Sequence, residues 1–110
     1  MVLTRGLMGL LAAAFIGSVA HAVASDDVPL DEYLRALHGI MPAARDGAEA
    51  YMSAFRIKCG RAMRTVELRA AVSEGSGDPI LMAMIRASHY KDSEILRSLA
   101  TAVSCAGGGH

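Results

Sequence analysis

The fold of this chain is decided by residues 43–72, which read AARDGAEAYMSAFRIKCGRAMRTVELRAAV. Apolar or small residues recur there every three or four positions, which places them on one side of an α-helix. Pro42 suits the first helical position, and Gly75 and Gly77 follow as residues that end helices. The pattern predicts a long central helix over about residues 43–73. Its apolar stripe consists of Ala44, Ala48, Met52, Phe55, Cys59, Ala62, Met63, Val66 and Ala70.

Gly60 is the weak point of this central helix, because an interior glycine costs about 1 kcal/mol relative to alanine. The segment is therefore either one helix or two in tandem. Shorter helices are predicted around it, over about residues 29–40, 79–87 and 92–105. The residues that favour helix starts there are Pro29, the pair Asp78–Pro79, and Asp92 or Ser93.

These segments predict an all-α fold, a small bundle of four or five helices around the long central helix. The short linker SEGSG at residues 73–77 allows antiparallel neighbours. The last helix is expected to place Ile95, Leu96, Leu99, Ala102 and Val103 on its inner face.

The N-terminal residues 1–24 have the three regions of a secretory signal peptide. Arg5 precedes the apolar run GLMGLLAAAFIGSVA, and small residues at cleavage spacing follow it. Cleavage is expected after Ala22 or Ala24, with an uncleaved membrane anchor as the alternative. Residues 25–106 would then form a single helical domain and residues 107–110 a flexible tail. No later apolar run approaches the roughly 20 residues of a membrane span, so the expected location is the periplasm or the extracellular space.

The chain contains two cysteines, Cys59 and Cys105. In an oxidising compartment they allow one intramolecular pairing, which predicts a disulfide bond between them. A loop of that length would stabilise the fold by about 4 kcal/mol in the chain-entropy description. An intermolecular bridge or two free thiols are the alternatives.

A second face of the central helix is apolar at both ends and basic in its middle. The simplest interpretation is that the helix lies centrally and is covered on both sides. The sharper hypothesis is an exposed face for a partner protein or for self-association, because interface cores favour arginine beside apolar side chains. An anion site made by the arginines is a third interpretation. The residues of the predicted partner-binding face are Ile57, Arg61, Arg64 and Leu68.

Methionine and histidine suggest one weaker alternative. Thioethers and imidazoles in an exported protein suit copper, and Met82, Met84 and His89 are the cluster that could bind a metal. On a helix Met82 and Met84 would point about 200° apart, and filling of the core is the ordinary role of methionine. A haem held by Met and His is the related possibility, although the haem-attachment motif is absent.

The sequence lacks the motifs of the common enzyme classes: it has no nucleophile elbow, Gly-rich phosphate loop or paired-carboxylate motif. A formal net charge of +0 argues against a nucleic-acid partner. The sequence therefore predicts a non-enzymatic exported protein without a cofactor, which docks on another protein as an inhibitor, immunity or accessory protein, or which self-associates. The alternatives are the metal- or haem-binding bundle and a periplasmic stress chaperone.

Overall fold

The computed structural model describes residues 28–106. The predicted signal peptide and the predicted tail at residues 107–110 lie outside the described residues. Residues 28–106 contain five α-helices and no strand, which confirms the predicted all-α bundle. The helices are α1 (Leu30–Ile40), α2 (Pro42–Cys59), α3 (Thr65–Ser73), α4 (Pro79–His89) and α5 (Ser93–Ala100).

The long central segment is two helices rather than one. α2 ends at Cys59, and Gly60 takes a left-handed conformation with φ +75°, in which its N–H donates to the Arg56 carbonyl at 3.0 Å. Residues with a side chain rarely adopt this conformation, so glycine suits this helix end. The chain is helical again only from Thr65. Of the two alternatives for residues 43–73, one helix or two in tandem, the structure shows the second, with the break at Gly60.

α2, α4 and α5 begin at the prolines and capping aspartates from which the sequence predicted helix starts. Pro42 and Pro79 occupy first helical positions, where a missing N–H costs no hydrogen bond. The Asp78 carboxylate accepts hydrogen bonds from the backbone N–H groups of Ile80 and Leu81, at 2.9 and 3.2 Å. Asp92 caps α5 in the same way. Both aspartates therefore act as the predicted N-caps.

The core forms around α2, which packs against α1, α4 and α5. At Gly47 the contact with α4 is so close that a Cβ atom would lie 2.5 Å from the Cα atom of Ile85. Only glycine permits this approach of two helix backbones. The larger side chains of the core are fully or almost fully buried: Leu34, Leu37, Tyr51, Phe55, Met63, Leu68, Leu81, Met84 and Val103.

One buried polar contact connects α2 with the start of α4. The Tyr51 hydroxyl donates a hydrogen bond of 3.0 Å to the Asp78 carboxylate, which is itself 4% exposed. Burial, followed by the neighbouring charge of Asp78, raises the pKa of Tyr51 well above its usual value. Tyr51 therefore stays neutral and remains a hydrogen-bond donor at any physiological pH.

The segment after α5 returns to α2. Cys59 and Cys105 form the predicted disulfide, with their Cα atoms 5.6 Å apart. The Lys58 ammonium donates a hydrogen bond to the Thr101 carbonyl at 2.8 Å, and Val103 is completely buried. The last helix ends at Ala100, earlier than the predicted end near Cys105. Among the helices of residues 28–106, none is long and apolar enough to cross a membrane.

Candidate functional site

The four residues of the predicted partner-binding face do not share one exposed face. Ile57 is 83% exposed on α2, whereas Leu68 on α3 is completely buried in the core. The prediction extended one helical periodicity across residues 57–68, and the break at Gly60 invalidates that extension. Leu68 is therefore removed from the candidate surface. Ile57 lines a shallow groove beside Ala54 and the carboxyl end of α5.

Arg61 closes the loop between α2 and α3. Its guanidinium donates two hydrogen bonds to the Glu67 carboxylate, at 2.8 and 2.9 Å, and lies 4.9 Å from the centre of the Phe55 ring. The Arg64 backbone N–H donates to the same carboxylate at 2.8 Å. These hydrogen bonds, with that from Arg61 first, lower the pKa of Glu67 to about 2.

The ion pair gives Arg61 a structural role, because reversing its charge would break the loop closure. The Arg64 side chain remains largely exposed, with its Nε atom 3.6 Å from Glu67. Binding of a partner by Ile57, Arg61 and Arg64 stays a prediction, but Arg61 is a poor residue with which to test it.

The three residues of the predicted metal cluster do not converge on one site, although Met82 and His89 line the same groove. Met84 is 1% exposed in the core. The Met82 thioether packs beside Gly77, just before α4. A Cβ atom added to Gly77 would lie 3.1 Å from the Met82 sulfur. His89 is the last residue of α4, and seven residues of helix advance about 10.5 Å. The described part of the chain also holds no group of three or more His, Cys, Asp or Glu residues arranged to bind a metal.

A different surface, around Tyr90, has the composition of a binding site. Two grooves lie side by side here. The first, of about 500 Å³, runs between α4 and Met41, the residue that joins α1 to α2. Its lining is formed by Met41, Met82, Ile85, Arg86, His89 and Tyr90.

The second groove, of about 260 Å³, lies between α4 and α5. Arg86 and Tyr90 line both grooves and so form the ridge that separates them. Tyr90 is 75% exposed and Ile95, in the second groove, is 49% exposed. Ile95 was expected on the inner face of the last helix, and its exposure corrects that expectation. We name the set Met41, Arg86, His89, Tyr90 and Ile95 the Tyr90 surface.

The turn after α4 fixes the position of Tyr90. Tyr90 is the C-cap residue, and Lys91 after it has φ +56°, a left-handed conformation usually taken by glycine. The N–H groups of Lys91 and Asp92 donate to the carbonyls of Ser88 and Ala87, at 3.1 and 2.9 Å. These two bonds form a complete Schellman motif, which ends the helix and fixes the backbone at Tyr90.

Arg86 carries the formal charge among the described residues that line the first groove. Within residues 28–106 no carboxylate forms an ion pair with Arg86, and no acidic side chain lines this groove. The rings of His89 and Tyr90 meet edge to face with their centres 5.0 Å apart. Lys91 adds another exposed cation next in the chain. The arrangement offers hydrogen-bond donors beside an apolar floor.

Sequence reasoning missed the Tyr90 surface because residues 88–91 fall between the helices predicted over residues 79–87 and 92–105. One signal was present, a tyrosine between His89 and Lys91 with no place in an apolar stripe. The groove itself needs Met41, which tertiary packing brings to α4 from a distant part of the chain. No protein-family model, no curated protein and no solved structure matches this chain.

Proposed function

We propose that this chain is an exported, non-enzymatic helical protein that binds another protein through the Tyr90 surface, as an inhibitor, immunity or accessory protein. The observation that carries the proposal is the exposed Tyr90 between two apolar grooves, beside the guanidinium of Arg86, which forms no ion pair within residues 28–106. Tyrosine, arginine and methionine are enriched in protein interfaces, and the first two dominate their binding energy.

The scaffold suits such a role. The disulfide between Cys59 and Cys105 is compatible with an oxidising compartment, as the predicted export requires. A surface held by a cross-linked bundle loses little conformational freedom when it binds, and more of the contact energy then appears as affinity. Tyr90 has the same advantage locally, because the Schellman turn holds its backbone.

The Tyr90 surface is favoured over the arginine face around residues 57–64 for an electrostatic reason. Arg61 already donates two hydrogen bonds to Glu67, and a partner carboxylate would have to compete with that bidentate pair. Arg86 has no such competitor among the described residues. A carboxylate of a partner would therefore gain more at Arg86 than at Arg61.

The test is site-specific photo-crosslinking in cells that export the protein. A benzophenone amino acid replaces Tyr90 in one strain and Ile57, which is as exposed but lies outside the surface, in a control strain. We expect a discrete heavier adduct from position 90 and none from position 57. Mass spectrometry then identifies the partner, and purified partner should bind the Tyr90→Ala variant about tenfold more weakly, in line with a central aromatic contact.

Two outcomes would move the conclusion elsewhere. Adducts from position 57 alone would return the binding role to the predicted face around Ile57, Arg61 and Arg64. An adduct between two differently tagged copies of this chain would identify self-association instead of a foreign partner. No adduct from either position, with both variants folded and exported, would contradict the proposal.

A further inference from the structure

The first groove of the Tyr90 surface combines an apolar lining with a guanidinium, and this combination restricts the kind of ligand that fits it. We infer that it accepts an apolar side chain from an extended or helical segment of the partner, while a carboxylate next to that side chain binds Arg86. This inference rests on the proposed function and names the kind of segment that the partner must present.

The floor of the groove is apolar and adaptable. Met41, Met82 and Ile85 form it, and methionine side chains adjust to irregular partners because they are unbranched and polarisable. Its volume of about 500 Å³ lies within the range of pockets that bind small ligands. The groove is therefore large enough for one or two apolar side chains of a partner.

The edge of the groove favours a negatively charged group of the partner. Arg86 lies at the edge of this floor without an ion-pair partner in residues 28–106, and His89 follows on the same side of α4. A guanidinium presents its N–H groups as a fork that matches a carboxylate in two parallel hydrogen bonds. Asp92, the next acidic residue in the chain, lines the second groove and caps α5 through the N–H of Ile95. Arg86 also lines the second groove, but Asp92 offsets its charge there, so negative charge is favoured more at the first groove.

The open shape favours a protein segment over a free fatty acid, which has the same chemistry of acyl chain and carboxylate. Sites for small molecules usually enclose most of the ligand surface. This groove is open along the protein surface, and it continues over the Tyr90 ridge into the second groove. A polypeptide can cross that ridge and contact both grooves, whereas an acyl chain would remain exposed to water along its length.

The test uses the full mature protein, exported and oxidised, with ¹³C-labelled methionine methyl groups. Three blocked eight-residue peptides serve as probes: one with two leucines and two glutamates, one in which lysine replaces glutamate, and one in which serine replaces leucine. We expect the first peptide alone to shift the Met41 and Met82 signals, while Met63, buried away from the groove, stays unchanged. Dodecanoate is the fourth probe.

Two exposed arginines give a matched pair of variants. Arg86→Ala should weaken the binding of the leucine–glutamate peptide about tenfold, the loss typical of an arginine at the centre of an interface. Arg97→Ala removes the same charge from α5, outside both grooves, and should leave the affinity unchanged. Arg86→Lys, which keeps the charge but loses the fork, should fall between them.

Each remaining outcome overturns the inference. Equal binding of the glutamate and lysine peptides would remove the role of Arg86. Binding of dodecanoate with at least the affinity of the peptide would assign the groove to a lipid. Unchanged Met41 and Met82 signals at millimolar concentrations of every probe would also overturn it.

The failure of this inference is distinguishable from failure of the proposed function. Crosslinking from position 90 without peptide binding would leave the protein-binding role intact and reject only the partner chemistry. Peptide binding without crosslinking would show the groove chemistry and reject its use in the exporting cell.

Discussion

Gly47→Ala should destabilise the protein, although helix propensity alone predicts the opposite. Gly47 lies inside α2, where alanine is favoured over glycine by about 0.8–1.0 kcal/mol. In the folded chain, however, the added Cβ would lie 2.5 Å from Ile85 Cα and 2.7 Å from Ile85 N. Both are backbone atoms, so no change of side-chain rotamer can relieve the overlap.

The magnitude follows from the geometry. Carbon atoms pack favourably at about 3.5–4.0 Å, so α2 and α4 would have to separate by about 1 Å. An extra methyl in a packed core costs about 1–3 kcal/mol, and a clash between two helix backbones belongs at the upper end. After the gain in propensity is subtracted, we expect a net loss of about 2 kcal/mol. For a domain of this size that corresponds to a fall in Tm of about 10 °C.

The assay is urea and thermal unfolding followed by circular dichroism, with Gly39→Ala as the matched control. Gly39 lies in α1, and nothing is found within 4 Å of the Cβ position there. Its replacement should stabilise by about 0.5–1 kcal/mol, through propensity alone. The two substitutions should thus have opposite signs. A Gly47→Ala variant as stable as the parent would refute the close helix approach.

Three further predictions concern the other ties of the fold. Replacing both Cys59 and Cys105 with alanine should lower the free energy of unfolding by about 4 kcal/mol, measured in urea, because the disulfide closes a long loop. Glu67→Gln should lower the free energy of unfolding by about 1–2 kcal/mol at pH 7, because it weakens the hydrogen bonds from Arg61. Since the folded pKa of Glu67 is about 2 and its ordinary value 4.5, the carboxylate stabilises above pH 4.5, and the difference from the parent should vanish as the pH falls from 4.5 to 2. Lys91→Gly should stabilise by about 0.5–1 kcal/mol in the same assay, because glycine takes the left-handed conformation without strain.

The features that sequence reasoning predicted correctly are those with local causes. The capping aspartates, Asp78 and Asp92, act within their own first turns, and Pro42 acts through its own ring. The disulfide followed from a count, since two cysteines allow one internal pair. The helical class followed from a periodicity repeated along most of the chain.

The errors arose where a tertiary contact or a helix break decided the outcome. Whether Gly60 would interrupt a helix could not be judged from a propensity cost of about 1 kcal/mol, since packing easily exceeds that amount. Once the helix was broken, the face that joined Ile57 to Leu68 no longer existed. The role of Gly47 could not be predicted for a similar reason, because it depends on the close approach of Ile85 from another helix.

The candidate surface was the least predictable part of the chain. Tyr90 becomes a ridge only because α5 lies on one side of it and Met41 on the other. Arg86 becomes an unpaired cation only because no carboxylate folds back toward it within residues 28–106. Both features depend on residues that are distant in the sequence, so a local pattern of three or four residues cannot predict them.

The residues that stabilise the fold are separate from those of the Tyr90 surface, and this separation makes the binding hypothesis testable. The Arg86 side chain forms no ion pair within the described residues, and the His89 and Tyr90 side chains are exposed, with their rings in contact with each other. Substitutions at these three positions should therefore change the free energy of unfolding by no more than about 0.5 kcal/mol, the usual range for surface sites. A loss of partner binding in such a variant would then measure the contact itself rather than partial unfolding. Substitutions that should instead lower stability are those at Gly47, in the Tyr51–Asp78 hydrogen bond, in the Arg61–Glu67 ion pair and in the disulfide.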